Sequence, residues 1–299
     1  MEPISRSETE TSIGLKSGEG TVWQFNFEPE ASKPYFHPIA LEDGTPLTWV
    51  RPPDHPWHLG LWFSWKFING LNYWEEDRET GLSEGRSTVQ KVDRELHPDG
   101  SARIVVHLNY HAPDLPPVLT EERALQISAP DESGSYRVDW TSTFTAWDES
   151  EVLLDRTPLP NEEGGTPWGG YAGLSIRLAK DTSDWVPFNS EGGSGVEGTK
   201  AKRANWCCTS LKTSTGKDAV VAMFDHPENR RHPTPWYTIN RPETPFGYFS
   251  PALLYEESMT LNPGEVLHLE YRILVAPGKF EQKDLDVEYQ DFIHQEAKP

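Results

Sequence analysis

One stretch of the chain, residues 34–76, gathers three histidines, an arginine and five tryptophans among prolines and acidic residues. Its centre, residues 51–58, reads RPPDHPWH. Each proline lacks a backbone N–H and fixes its own φ angle, so this spacing excludes a long helix or a central strand. The segment must therefore be an ordered loop, and loops of this kind often carry functional sites.

Outside this loop the sequence has the rhythm of a β protein. Short β-branched or aromatic runs alternate with turn signals, and 26 prolines and 23 glycines separate them. The runs lie at 21–27, 87–92, 102–110, 124–128, 136–146, 174–178, 219–224 and 267–275. This pattern predicts an all-β antiparallel sandwich, with one helical candidate at 281–295. Without repeats or a low-complexity linker, we expect residues 1–299 to form a single β-sandwich domain with a short C-terminal helical or irregular tail.

The charge of the chain limits its partners. There are 47 acidic and 27 basic residues, which gives a formal net charge of −20. Nucleic acid and anionic membrane surfaces would be repelled, so neither is expected as a partner. The sequence has no apolar run long enough for a membrane span and no apolar leader, which favours a soluble cytoplasmic protein, or a periplasmic one if a signal has been removed. The oligomeric state is not fixed by these features.

The loop around residue 55 supplies the first candidate site, and two chemical interpretations remain open. Asp54 could cap a single turn that places His55 and His58 on one face. In the first interpretation His55 and His58 share a divalent metal. A third ligand would come from His37, Asp54, Glu76, His226 or His232. In the second interpretation no cofactor is required, one histidine transfers protons and Arg51 holds an oxygen. Histidines that only satisfy loop carbonyls are the structural alternative.

A second proline-stiffened loop, FDHPENRRHPTPWYT at 224–238, follows an apolar strand and repeats these residue types. Its charged residues are Asp225, His226, Arg230, Arg231 and His232. We expect the two loops to build one pocket. The rival interpretation is a β-turn at residues 225–226 with the arginines paired to surface acids.

Several tryptophans and one glutamate are further candidates for the functional site. Trp57, Trp168 and Trp236 lie in proline- or glycine-rich loops and could stack on sugar rings, whereas Trp62 and Trp65 are expected in the core. Glu76 is the preferred carboxylate because it lies near the histidine loop. The glycine-rich run at 189–200 lacks the GK[ST] ending of a phosphate-binding loop and is expected to be a flexible surface loop.

Several runs together resemble a bacterial family that carries the label methane oxygenase PmoA. They are PYFHPI, TPLTWVRPPDHPWHLGLWFSW, NGLNYWEE, GGYAGLSIR and FDHPENRRHPTPWYT. The closing LNPGEVLHLEYRILV is similar to the last strands of galactose-mutarotase-like sandwiches. The resemblance implies a bacterial protein associated with sugar-processing genes and a β-supersandwich fold. Its pocket motifs fall on His37, Arg51, Asp54, His55, His58, Glu76, Asp225, His226, His232 and Trp236. The chain departs from the PHH-like run expected in relatives, because Trp57 stands where a second adjacent histidine would be.

We therefore expect a carbohydrate-active enzyme of glycoside hydrolase, lyase or sugar epimerase type that uses histidine acid/base catalysis. The predicted catalytic residues are His58, His226 and Glu76. The predicted substrate-binding residues are His37, Arg51, Asp54, Trp57, Trp168, His232 and Trp236. A noncatalytic sugar-binding protein is the alternative, and a metal-dependent oxygenase component, as the family label suggests, is a further one.

Overall fold

The computed structural model of the chain describes residues 4–29, 31–147 and 150–294, in which strands predominate. In chain order the strands are β1 Ile4–Glu8, β2 Ser12–Ser17, β3 Gly20–Asn26, β4 Tyr35–Ile39, β5 Leu61–Ser64, β6 Phe67–Ile68, β7 Leu71–Asn72, β8 Arg86–Leu96, β9 Ala102–His111, β10 Leu119–Ile127, β11 Tyr136–Ala146, β12 Val152–Asp155, β13 Gly173–Arg177, β14 Ser183–Asn189, β15 Trp206–Lys212, β16 Asp218–Asp225, β17 Trp236–Arg241, β18 Phe246–Pro251, β19 Met259–Leu261 and β20 Val266–Pro277. The helices are α1 Gly195–Thr199 and α2 Gln282–His294. No helix in these described ranges has the length and apolar character needed to cross a membrane.

The strands form two large sheets and one small one. The first sheet has eight strands in the order β1-β2-β3-β4-β5-β13-β18-β17, and the second has eight in the order β14-β15-β16-β20-β11-β10-β9-β8. A four-stranded sheet, β19-β12-β6-β7, completes the set. Neighbouring strands run antiparallel. The predicted all-β antiparallel supersandwich is therefore confirmed.

The core lies between the two large sheets and follows from the period-two pattern of the strands. In β11 buried and partly exposed residues alternate without interruption from Tyr136 to Ala146. Its inward aromatic rings meet those of the first sheet, with ring centroids 5.3 Å apart for Phe63 and Phe144. Each such buried ring contributes about 1.5–3 kcal/mol relative to an exposed one, so these contacts hold the sheets together.

Helix α2 covers part of the outer face of the second sheet. Its buried residues Leu285, Tyr289 and Phe292 recur at helical spacing and pack against Trp206 and Phe224 of that sheet. The helix predicted at 281–295 is thus confirmed over Gln282–His294, and residue 295 lies outside the described residues.

The outer face of the first sheet is aromatic. In β5, Leu61 and Phe63 belong to the main core, whereas Trp62 between them points to the opposite face. Tyr237 and Tyr248, from β17 and β18, belong to the same outer layer as Trp62. This outer aromatic layer is the floor of the candidate site.

Candidate functional site

A cavity of about 350 Å³ opens on the outer face of the first sheet. Small-molecule sites typically measure about 300–1,000 Å³, so this volume suits a compact ligand. The cavity is lined by His55, Trp57, His58, Trp74, Glu75, Pro167, Trp168, Tyr171, Lys200, Tyr237, Ile239, Arg241, Phe246 and Tyr248.

Strand alternation explains why one wall of the cavity has this composition. Tyr237, Ile239 and Arg241 are every second residue of β17, and Phe246 and Tyr248 are every second residue of β18. Successive side chains of a strand point to opposite faces, so these five face the cavity while their neighbours face the core.

The histidine loop is closed by its own backbone. The Arg51 N–H donates to the His58 carbonyl at 2.8 Å, and the His58 N–H donates to the His55 carbonyl at 2.9 Å. Gly60 then returns the chain to β5 with φ +81°, where a Cβ would lie 2.4 Å from the Phe36 carbonyl oxygen. The rings of His55 and His58 come to lie on one face of this turn, 4.7 Å apart between centroids.

Asp54 does not cap the turn but fixes the ring of His55. Its Oδ2 accepts a hydrogen bond from His55 Nδ1 at 2.9 Å and another from Arg177 Nη2 at 2.9 Å. Partial burial raises the pKa of Asp54, but these two hydrogen bonds outweigh it and hold that pKa below its usual value. An ionised carboxylate can only accept, so His55 carries its proton on Nδ1 and leaves Nε2 free to accept one.

Arg177 fixes His58 in the tautomer opposite to that of His55. The Arg177 side chain is fully buried, and its guanidinium lies 3.8 Å from the ring centroid of Phe246. Its Nη1 lies 3.4 Å from His58 Nδ1. A guanidinium can only donate, so His58 Nδ1 must accept and Nε2 carries the proton. Burial first, then the nearby His55 and Arg177, lowers the pKa of His58 well below 6.5, which keeps this ring neutral.

Glu75 supplies a fixed negative charge in the wall of the cavity, and three donors hold its carboxylate in place. Its carboxylate accepts from Tyr171 Oη and from Asn72 Nδ2, each at 2.7 Å, and forms an ion pair with Lys66. Burial raises the pKa of Glu75, but Lys66 and the hydrogen bonds from Tyr171 and Asn72 outweigh it and lower that pKa. Glu75 is the only carboxylate among the lining residues within the described ranges.

Aromatic side chains form the remaining walls. Trp74 is buried against His58 and Tyr171, with ring centroids 6.2 Å and 5.3 Å away. Trp57 is half-buried, and Trp168 is 58% exposed at the mouth of the cavity. Two of the three predicted stacking tryptophans, Trp57 and Trp168, are thus placed where a sugar ring could lie against them.

The third predicted stacking tryptophan, Trp236, does not line the cavity. It is fully buried in the main core, and its Nε1 donates to the Ala204 carbonyl at 2.9 Å. As the residue before Tyr237 on β17, it faces the opposite side of the sheet from the cavity. Its predicted role in stacking on a sugar is therefore corrected to a role in the core.

Glu76 and Arg51 also lie outside the cavity lining. Glu76 is buried, accepts from Lys33 Nζ at 3.0 Å and from Arg51 Nη1 at 2.5 Å, and forms a further short hydrogen bond with Ser32. Glu75 lines the cavity, whereas the carboxylate of Glu76 is buried in the interior beside Lys33. The expectation that Glu76 works beside the histidines and that Arg51 binds a sugar oxygen is corrected to an ion cluster around the buried Glu76 that anchors the loop.

His37 has a similar structural position. Its Nδ1 lies 3.0 Å from Thr48 Oγ1, and burial lowers the pKa of its ring to about 4. It does not line the cavity, so its position does not support the predicted role of His37 in binding a sugar there.

The second loop runs from the second sheet to the first, and the prediction that its histidines share one pocket with His58 is wrong. The His226 ring packs edge-on against Phe292 of α2, with centroids 5.3 Å apart. Asp225 is fully buried and accepts from His232 Nδ1 at 3.1 Å and from Thr234 Oγ1 at 2.6 Å. None of these side chains lines the cavity, so His226 and His232 hold the loop together instead of completing a site with His58.

The arginines of that loop follow the rival interpretation. Arg230 pairs with Glu265 at 2.7 Å and Arg231 with Glu257 at 3.2 Å, and both acids are on the surface. For the metal interpretation, the described residues contain no group of three histidine, cysteine, aspartate or glutamate side chains able to hold an ion. A buried guanidinium beside His58 would moreover repel a second cation.

The sequence reasoning missed several residues that shape this site. They are Tyr171, Arg177, Lys200, Tyr237, Arg241, Phe246 and Tyr248, while Glu75 was considered but Glu76 was preferred to it. A signal existed for those on β17 and β18, because Tyr237 and Arg241 fall on one alternation of WYTINR, and Phe246 and Tyr248 on one alternation of FGYFSP. For Arg177 the signal was a lone charged residue at the end of the apolar strand GLSIR.

Comparisons with known proteins place the chain in a family without assigning it an activity. A search of curated proteins found no match. Among solved structures, the galactosidase domain of the alpha-galactosidase-sucrose kinase AgaSK is similar over 92% of this chain, at 8% identity and a TM-score of 0.39. The chain spans 41% of the length of that structure. A galactose mutarotase related enzyme from Lactobacillus acidophilus is similar over 93% of this chain and 98% of its own length, at 13% identity and a TM-score of 0.21. At these TM-scores neither likeness says anything about activity.

The methane oxygenase label finds no support in these matches. One family model matches residues 12–290, nearly the whole of the described structure. The chain therefore belongs to the family that this model describes, a family of unknown function (DUF6807).

Proposed function

We propose that this protein is a sugar-active enzyme that transfers a proton on a single sugar ring, with an epimerising, anomerising or eliminating outcome. The observation that carries the proposal is the pair His55 and His58, whose rings lie 4.7 Å apart and are held in opposite tautomers by Asp54 and Arg177. A base that can take a proton, beside a neutral N–H that can polarise the neighbouring oxygen, is an arrangement suited to removing a proton from a sugar.

The two histidines divide the work. His55 Nε2 takes the proton from a sugar C–H or O–H, and Asp54 stabilises the imidazolium that forms, as a carboxylate does in a nucleophile–histidine–carboxylate triad. The imidazolium then returns this proton to the sugar or to its leaving oxygen, which restores the neutral His55. His58 stays neutral and polarises a sugar oxygen with its Nε2–H, because its buried ring is hard to charge. Arg177 acts as a positioning residue, since its guanidinium contacts both Asp54 and His58.

The acids of the cavity favour proton transfer over glycoside hydrolysis. Glycosidases use two carboxyl groups that flank the scissile bond. Within the described ranges the lining contains only Glu75, and this carboxylate is bound by Lys66, Asn72 and Tyr171. We assign Glu75 to binding, as a fixed acceptor for a sugar hydroxyl.

The aromatic walls support a sugar as the ligand. Trp57 and Trp168 offer ring surfaces at the opening of the cavity, and aromatic faces pack well on the C–H faces of sugars. The same walls would serve a noncatalytic sugar-binding protein, which is the second candidate function. The histidine pair separates the two, because a binding protein needs no opposed tautomers.

The test follows proton transfer directly. Sugars would be incubated with the protein in heavy water, and NMR would record anomer interconversion and the uptake of deuterium at carbon. The matched variants are His55→Gln, and His97→Gln as the control, since His97 lies exposed in the turn after β8.

We expect His55→Gln to slow the reaction about 10²–10⁴-fold, the usual contribution of a positioned acid or base, while sugar binding persists. The control should keep the wild-type rate. If the wild-type protein binds sugar but neither exchanges protons nor interconverts anomers, it is a binding protein and the proposal fails.

A further inference from the structure

We propose that the sugar bound in this cavity carries a negative charge, as a carboxylate or a phosphate group, and that Lys200 and Arg241 bind it. This inference rests on the proposed sugar function and names its substrate class. Both cations line the cavity, Lys200 directly after α1 and Arg241 at the end of β17.

The two cations lack a counter-charge. In the described parts of the chain neither Lys200 nor Arg241 forms an ion pair with a carboxylate within 4.0 Å. Lys200 Nζ instead lies 4.6 Å from the ring centroid of Tyr237. Burial, and then the charge of Arg241, lowers the pKa of Lys200.

The other charges around the cavity are already balanced. Glu75 is paired with Lys66, and Asp54 with Arg177. Lys200 and Arg241 therefore leave the cavity with an excess of positive charge, although the whole chain has a net charge of −20. In so acidic a protein, two unpaired cations at the wall of one cavity select an anion.

The chemistry of the two side chains narrows the ligand. A guanidinium matches the paired oxygens of a carboxylate or a phosphate, and an ammonium adds a point charge beside it. The histidines, the tryptophans and Glu75 remain for the sugar ring and its hydroxyls. A sugar acid and a sugar phosphate both fit this division, and the experiment distinguishes them.

Isothermal titration calorimetry would measure the binding of galactose, galacturonate and galactose 6-phosphate, and of the three corresponding glucose compounds, with inorganic phosphate alongside. The test variant is Lys200→Gln with Arg241→Gln. The control variant is Lys202→Gln with Arg103→Gln, which removes the same charge from exposed positions outside the cavity lining.

We expect at least one charged form to bind about tenfold or more tightly than its neutral parent, with the gain abolished in the test variant, kept in the control and weakened by salt. A preference for galacturonate and glucuronate, or for the two phosphates, identifies the charged group.

Three outcomes would overturn the inference, and they differ in whether they also overturn the proposed sugar function. Neutral sugars that bind as tightly as the charged ones would refute the anionic substrate and leave the sugar function standing. Inorganic phosphate that binds as tightly as the sugar phosphates would refute the sugar component of the ligand. If none of the six sugars binds, both this inference and the proposed function fail.

Discussion

Arg177 holds the two histidines in their tautomers, and replacing it with methionine should both destabilise the protein and free the ring of His58. The guanidinium donates to Asp54 at 2.9 Å and to the Pro245 carbonyl at 3.2 Å, and it lies 3.8 Å from the centroid of Phe246. Methionine fills a similar volume but provides none of these donors.

The expected change in the free energy of unfolding follows from these contacts. A hydrogen bond to a charged group contributes about 1.5–3 kcal/mol, and a desolvated cation–π contact about 2 kcal/mol. Two corrections reduce the sum, because Asp54 is 37% exposed and can be rehydrated, and because burying the guanidinium itself costs free energy. We therefore expect Arg177→Met to lower the free energy of unfolding by about 2–4 kcal/mol.

Urea denaturation of Arg177→Met, Asp54→Asn and the double variant measures this. The double-mutant cycle should give a coupling energy of about 0.5–3 kcal/mol, the usual range for directly bonded residues. Arg103→Met is the control, because Arg103 is exposed on β9, and its effect should stay within about 0.5 kcal/mol. A stability loss for Arg177→Met as small as that of the control, with no coupling to Asp54, would refute the role given to Arg177.

Three further predictions concern other parts of the chain. Arg123→Met should destabilise the protein by about 3–5 kcal/mol in urea denaturation, because it leaves the buried carboxylate of Glu121 without its ion partner; a loss below about 1 kcal/mol would contradict this. The pKa of His37 falls from 6.5 to about 4 on folding, so the unfolded state binds more protons between these values and stability should drop as pH falls from 6.5 to 4. His37→Gln should flatten that part of the stability profile relative to His97→Gln, and profiles of equal slope would count against it. Trp168→Ala should weaken sugar binding in calorimetry about tenfold without a change in Tm, since Trp168 is 58% exposed; unchanged affinity would remove Trp168 from the binding surface.

Local sequence patterns predicted most of the strands. The alternation in Tyr136–Ala146 and Ala102–His111 requires only that neighbouring side chains of a strand face opposite ways, and the structure has strands at both places. The pairing of His55 with His58 was equally local, because a four-residue turn that contains Pro56 fixes it. Features of this kind can be predicted from the sequence alone.

Non-local placement explains what the sequence could not provide. Asp225 ends β16 in the second sheet, whereas Trp236 begins β17 in the first, so the chain crosses between sheets within the loop that joins them. Residues of that loop were therefore assigned to the wrong face. The bond between Asp54 and Arg177 joins residues 123 positions apart, and no periodicity in a single sequence indicates such a contact.

The glycine-rich run at 189–200 shows a related limit. Its composition predicted a flexible surface loop, but it contains the short helix α1 and ends at Lys200, which lines the cavity. A high glycine content indicates a backbone with few steric restrictions, but it does not indicate where the side chain of a neighbouring residue such as Lys200 points.

The most direct test of the account is long-range ¹H–¹⁵N NMR of the histidine rings at neutral pH, with the two signals assigned through His55→Gln and His58→Gln. This spectrum reports which ring nitrogen carries the proton. The account predicts a neutral His58 protonated on Nε2 and a His55 protonated on Nδ1, with the His58 signals converting to other forms in Arg177→Met. A His58 that is charged, or protonated on Nδ1, would contradict the proposed division of roles, in which His58 donates a hydrogen bond and His55 accepts a proton.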